Sequence, residues 1–221
     1  MNNDSTENKT IENKQSKSKS TIVAVVGIIA FILAFVVMKY ITQEGISAFR
    51  GGISKNQTEQ KVTNYFTDNS TWKDFKSTLG SFRASFPVYP THETEPLNLP
   101  GLSQPVNMEM YSAEESNGAF YLITFINYPS QVDTSVPETN LEGSVNGTVQ
   151  SIDGTLISSN FTYFGTYRAI EYLIYKKDGN AYIKGKNILV GQNMYQIAVA
   201  YEPSNSSNVQ FDRFANSFQL Q

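Results

Sequence analysis

Residues 119–128 read AFYLITFINY. The run carries no charge, and its apolar side chains fall on both parities. Phe120, Leu122, Ile126 and Tyr128 share one, while Tyr121, Ile123 and Phe125 share the other. Successive side chains of a strand point to opposite faces. A strand that is apolar on both faces sits inside a sheet with one layer above it and another below. The flanking sequence must therefore supply both neighbouring strands and two covers.

Upstream, TWKDF (71–75) alternates, KSTLG (76–80) is a polar turn, and SFRASF (81–86) alternates again, with Phe82, Ala84 and Phe86 on one side. That is the pattern of a β-hairpin. Pro87 and Pro90 end its second strand, since proline cannot donate to a ladder. THETEPLNLPGLSQPVNMEMYSAEE (91–115) reads as a polar, proline-broken connection entering a strand near Val106–Tyr111.

Downstream the period becomes helical. Leu141, Val145, Val149 and Ile152 share a face, Thr139 and Glu142 are spaced as a capping box, and Gly154 suits the stop. Four strand-like runs follow: TLISSNFTYF (155–164), YRAIEYLIYK (167–176), NAYIKGKNILV (180–190) and MYQIAVAYEP (194–203). Asp178–Gly179 offers turn chemistry between the second and third. Phe211, Phe214, Ala215 and Phe218 then form the i, i+3, i+4, i+7 stripe of a final helix. The order is hairpin, strand, strand, helix, four strands, helix. Residues 72–221 are thus expected to form an α+β domain, a mostly antiparallel sheet with helices packed on it.

Several of these segments resemble PsbP-like domains. WKDF (72–75) with GSFRASFP (80–87) is similar to their opening hairpin, and LEGSVNGTVQSI (141–152) to their central helix. NILVGQNMYQIAVAYEP (187–203) followed by FDRFANSFQL (211–220) is similar to their closing strands and helix. The resemblance implies an α-β-α sandwich around an antiparallel sheet. PsbP itself is a lumenal extrinsic subunit of photosystem II that supports calcium and chloride retention. No residue here matches a functional motif of that family, so no site is carried over.

The first 71 residues read differently. Residues 1–20 are almost wholly polar, as expected of a disordered tail. Thr21–Met38 holds 18 residues without a charge, and Tyr40 and Ile41 extend the run past Lys39. That length suits a transmembrane helix over 21–41. A cleaved signal peptide would have a shorter apolar core and a small-x-small site, which VVMKYITQEG lacks. Residues 42–71 then form a juxtamembrane stalk. Four lysines precede the run (Lys9, Lys14, Lys17, Lys19) and three cations follow it (Lys39, Arg50, Lys55). The bias places the N-terminus in the cytoplasm and residues 72–221 outside.

Composition narrows the chemistry. Residues 72–221 carry 9 Lys/Arg against 14 Asp/Glu, which disfavours nucleic acid. The chain has no cysteine, so thiol nucleophiles and cysteine-ligated metals are excluded. His92 is the single histidine, and no Gly-x-Ser-x-Gly elbow or phosphate-cradling loop accompanies it. His92 with Glu93 and Glu95 is the only candidate metal set, in a segment read as a loop. Glu114–Glu115 reads as a solvated pair. Of the N-x-S/T sequons, Asn146 falls in the expected helix and Asn160 in an expected strand, so they read as asparagine-rich composition. The expectation is a non-enzymatic, membrane-anchored binding or assembly module that uses no cofactor. Its partners would be the bilayer, through 21–41, and a protein at the membrane. The alternatives are a domain binding a small ligand or metal ion, and a hydrolase using scattered carboxylates.

Overall fold

A computed structural model describes residues 72–97 and 102–221. The expected tail, membrane helix and stalk lie outside the described residues. Among the described residues, no helix is long and apolar enough to cross a membrane.

The strands are β1 (Lys73–Ser77), β2 (Phe82–Phe86), β3 (Thr91–Leu97), β4 (Val106–Glu114), β5 (Phe120–Asn127), β6 (Thr155–Phe164), β7 (Tyr167–Lys176), β8 (Ala181–Val190), β9 (Asn193–Tyr201) and β10 (Gln219–Leu220). The helices are α1 (Pro137–Ser151) and α2 (Phe211–Ser217). Seven strands form one sheet in the order β3-β4-β5-β9-β8-β7-β6, with every pairing antiparallel. The other three form a small sheet, β1-β2-β10. The architecture is the expected α+β arrangement.

The central strand is β5, held between β4 and β9. Phe120, Leu122 and Ile126 face α1, against Leu141, Val145 and Ile152. Tyr121 and Ile123 face the small sheet and α2, against Phe82, Phe86, Phe214 and Phe218. β9 repeats the division: Tyr195, Ile197 and Val199 lie in the second core, Met194, Ala198 and Ala200 in the first. The covers differ in kind. The α1 side is aliphatic, with a polar seam in which Thr124 Oγ1 donates to Gln196 Oε1 (2.9 Å) and Asn187 Nδ2 to Ser144 Oγ (2.8 Å). The other side is an aromatic cluster, in which Phe82 lies 5.3 Å from both Tyr111 and Phe218, ring centre to ring centre.

β7 holds α1 at both ends. Arg168 Nε donates to Glu138 in the first turn (2.7 Å), and the buried Lys176 Nζ donates to the Ile152 carbonyl at the last (2.9 Å). Helix C-terminal carbonyls favour such a cation.

Four sequence expectations need correction. The segment at Thr91 is not a loop: it is β3, pairing with β4 from Thr91↔Ser112 to Leu97↔Val106. An edge strand tolerates proline, because one side of its backbone needs no partner, and Pro96 sits opposite Asn107 there. The second missed strand, β10, is two residues long and follows α2 directly. Third, Thr139–Glu142 does not cap α1. The helix is capped three residues earlier, at Val136, with Pro137 in its first turn, because proline's fixed φ suits that position. Its far end closes as a Schellman motif: Asp153 takes the positive φ (51°), and Gly154 N–H reaches the Val149 carbonyl. Fourth, the β7–β8 turn takes its positive φ at Asn180 (42°), not at Asp178–Gly179.

Several tyrosines among the described residues are enclosed. Tyr128 and Tyr172 leave their hydroxyls without a protein partner, and burial pushes both phenols far above the usual range. Burial likewise pushes Tyr121 up to about 12. The unfolded chain releases these protons near pH 10, whereas the folded chain still holds them, so stability falls as pH rises beyond that point. Urea midpoints should drop progressively between pH 9 and 11. Tyr128→Phe should flatten that decline and raise stability at pH 7 by about 1 kcal/mol. A midpoint independent of pH across this range would contradict the burial of these rings.

Candidate functional site

The aromatic cover does not extend over the whole face of the large sheet. It ends at the β1–β2 turn, where Ser77 Oγ accepts from Gly80 N–H (2.9 Å) and donates to Tyr111 OH (2.7 Å), while Tyr195 OH donates to the Gly80 carbonyl (2.9 Å). Beyond Leu79 at the tip of this turn, strands β4 and β5 continue. Their outward residues there, Asn107, Glu109, Phe125 and Asn127, contribute to a cleft of about 690 Å³. Leu79, Leu102–Pro105, Pro129 and Gln131 add to the lining.

Among the described residues, Glu109 is the one ionisable residue lining this cleft. Its side chain is 11% exposed. Oε2 accepts from Thr94 Oγ1 (2.7 Å) and meets His92 Nε2 (2.7 Å). The His92 ring stacks on Tyr111, 4.7 Å between centres and 13° between planes. Burial raises the Tyr111 phenol; the Ser77 bond opposes the shift, and the charge of Glu109 adds to it. One polar path thus runs from Gly80 through Ser77 and Tyr111 to the His92 ring, and from there to Glu109.

This is not the site the sequence suggested. Residues at alternating positions of a strand face opposite ways. His92 and Thr94 point with Tyr111 and Glu109, so Glu93 and Glu95 lie on the other face of β3 and are solvent-exposed. The expected trio of His92, Glu93 and Glu95 does not converge. Among the described residues, no group of three or more His, Asp or Glu is placed to hold a metal ion. Of the Glu114–Glu115 pair, Glu115 is bonded within the β4–β5 turn, by Asn117 Nδ2 (3.1 Å) and Tyr121 OH (3.2 Å). Sequence reading overlooked Glu109. Its signal is a carboxylate between Met108 and Met110, in a strand whose Val106, Met108, Met110, Tyr111 and Ala113 are apolar.

No protein-family profile matches the chain, and no curated protein does. Among solved structures, the chain is similar to the solution structure of cyanobacterial PsbP (CyanoP) from Synechocystis sp. PCC 6803. The TM-score is 0.45 at 14% identity, covering 75% of this chain and 98% of that one. It is also similar to the crystal structure of PA94, a protein of unknown function from Pseudomonas aeruginosa. There the TM-score is 0.31 at 8% identity, covering 62% of this chain and 87% of that one. At these values neither likeness assigns a family.

The geometry separates the structural residues of the Ser81–Pro96 segment from the polar ones. Phe82 is fully buried, and Phe82→Ala should cost about 3–5 kcal/mol. The His92 side chain is 40% exposed, and its loss leaves Thr94 on Glu109, so His92→Ala should cost about 1 kcal/mol or less. Urea denaturation of the two variants checks this ranking, and the reverse order would overturn the assignment.

Proposed function

We propose that the chain is a single-pass membrane protein whose residues 72–221 form a non-enzymatic binding module on the outer face. It engages a protein partner by admitting one of the partner's basic side chains into the Glu109 cleft. The observation that carries the reading is the lining of the cleft. Among the described residues it holds one carboxylate beside Phe125, with amides around it and no lysine or arginine. A carboxylate of low exposure forms strong bonds with an ammonium or guanidinium, and an aromatic face adds cation–π attraction. The acidic balance of residues 72–221, 9 cations against 14 anions, steers a basic partner toward the module. The 18-residue uncharged run at Thr21–Met38 supports the anchor. The sequence resemblance to PsbP-like domains fits a module that assembles on other proteins at a membrane.

The test uses the full chain in lipid nanodiscs. Millimolar agmatine and butylamine should raise its melting temperature, butyrate should not, and Glu109→Gln should abolish the shift. An unchanged melting temperature, or an equal shift in the variant, sinks the cleft assignment. In intact cells, external protease should degrade residues 72–221; their survival beside a degraded outer-face control reverses the orientation.

A further inference from the structure

The large sheet has two edges, β3 and β6, and they are built differently. β3 carries Glu93, Glu95 and Pro96, the charged and proline residues that block edge-to-edge pairing. β6 is ten residues long, TLISSNFTYF, with neither a charge nor a proline. Its first six residues are all solvent-exposed. Leu156, Ile157 and Tyr163 are exposed by 37%, 53% and 62%. Its one irregularity is the register shift between Leu156 and Ser158, which leaves Ser158–Phe164 as a regular run paired to β7. Among the described residues no strand pairs with the other side of β6. Arg168 is the one side chain there that bonds a β6 carbonyl, at Thr162 (3.4 Å).

We infer that β6 pairs antiparallel with β6 of a second copy of this chain, joining two seven-stranded sheets across a twofold axis. Charge selects this occupant. In a twofold antiparallel pairing each strand meets its own copy, so a charge near the axis would face a like charge or lie diagonal to one, which destabilises the pair. A strand with no charge meets no such penalty in any register. By the same rule a β3 pairing centred on Thr94 would bring Glu93 against Glu95 of the other copy. The twofold pairing also places the exposed apolar side chains of one β6 beside those of the other, and it satisfies the open row of backbone donors and acceptors. This inference is independent of the Glu109 cleft, which lies at the opposite side of the sheet.

The absence of cysteine makes the test direct. Ser158→Cys, Ser159→Cys, Asn160→Cys and Thr162→Cys are made singly in the full chain and oxidised with copper phenanthroline in native membranes. Opposed residues of antiparallel strands lie at Cα separations that a disulfide can bridge. A covalent homodimer should form at one or more of these positions. It should not form at Tyr89→Cys, which is 70% exposed but distant from β6 in the pairing order. Adding Ser159→Lys to Asn160→Cys should abolish the dimer while the circular dichroism melt stays in place; if the lysine variant fails to fold, Ser159→Glu replaces it. The proposal falls on any of three results: no position links above the Tyr89→Cys control, the charge leaves linking unchanged, or the linked species contains a different protein or a loop within one chain.

Discussion

The fold depends on one constraint: β5 and β9 are apolar on both faces. An antiparallel sheet usually leaves one face to water. Here Leu122 and Ile123 are neighbours in sequence, and both are enclosed, on opposite sides. Two covers must therefore exist, and the chain draws them from different sources. One is α1, inserted between β5 and β6. The other combines the opening hairpin with the closing helix and β10. The cleft follows from the same constraint. The aromatic cover ends at Leu79, while the strands beneath it run on to Asn107 and Asn127.

On the α1 side apolar contact is not the whole of the interface. The seam of Thr124, Gln196, Asn187 and Ser144 places hydrogen bonds where aliphatic packing alone would tolerate sliding. Thr124 lies opposite Gln196, and Gln196 opposite Asn187, so the seam crosses three adjacent strands at one level. A buried polar pair is costly to misalign. Together with Glu138–Arg168 and Lys176 at the two helix ends, it fixes where α1 rests along the sheet. Gly185 has a related part: a Cβ there would lie 2.2 Å from the Tyr172 ring, so the absent side chain makes room for a buried aromatic.

Much of this was legible in the residues. The two parities of AFYLITFINY, the stripe at Phe211–Phe218 and the alternation of Phe82, Ala84 and Phe86 each led to the right layer, because periodicity records which side of an element is enclosed. What escaped was set by pairing across the sheet. Thr91–Leu97 has the composition of a loop and becomes a strand only because β4 offers it a ladder. The partner of His92 is set in the same way. Glu93 and Glu95 are close in sequence, but the strand turns them away. Glu109 is distant in sequence, and the register brings it to 2.7 Å. The cap of α1 escapes because Pro137 opens the helix with Val136 at the cap, three residues before Thr139.

The second cover is made from both ends of the described chain. Arg83 bonds Gln219, Ser85 N–H bonds Ser217 Oγ at 2.9 Å, and Gln221 N–H reaches the Ser81 carbonyl at 2.9 Å. During synthesis the α1 side can close as soon as β9 has emerged. The aromatic side cannot, since Phe211, Phe214 and Phe218 all follow β9 in the chain. Until then Tyr121, Ile123, Tyr195 and Ile197 are only partly covered, and an exposed surface of this kind is prone to association. The order of translation thus gives the two faces of one sheet different histories, and residues 211–221 close the domain.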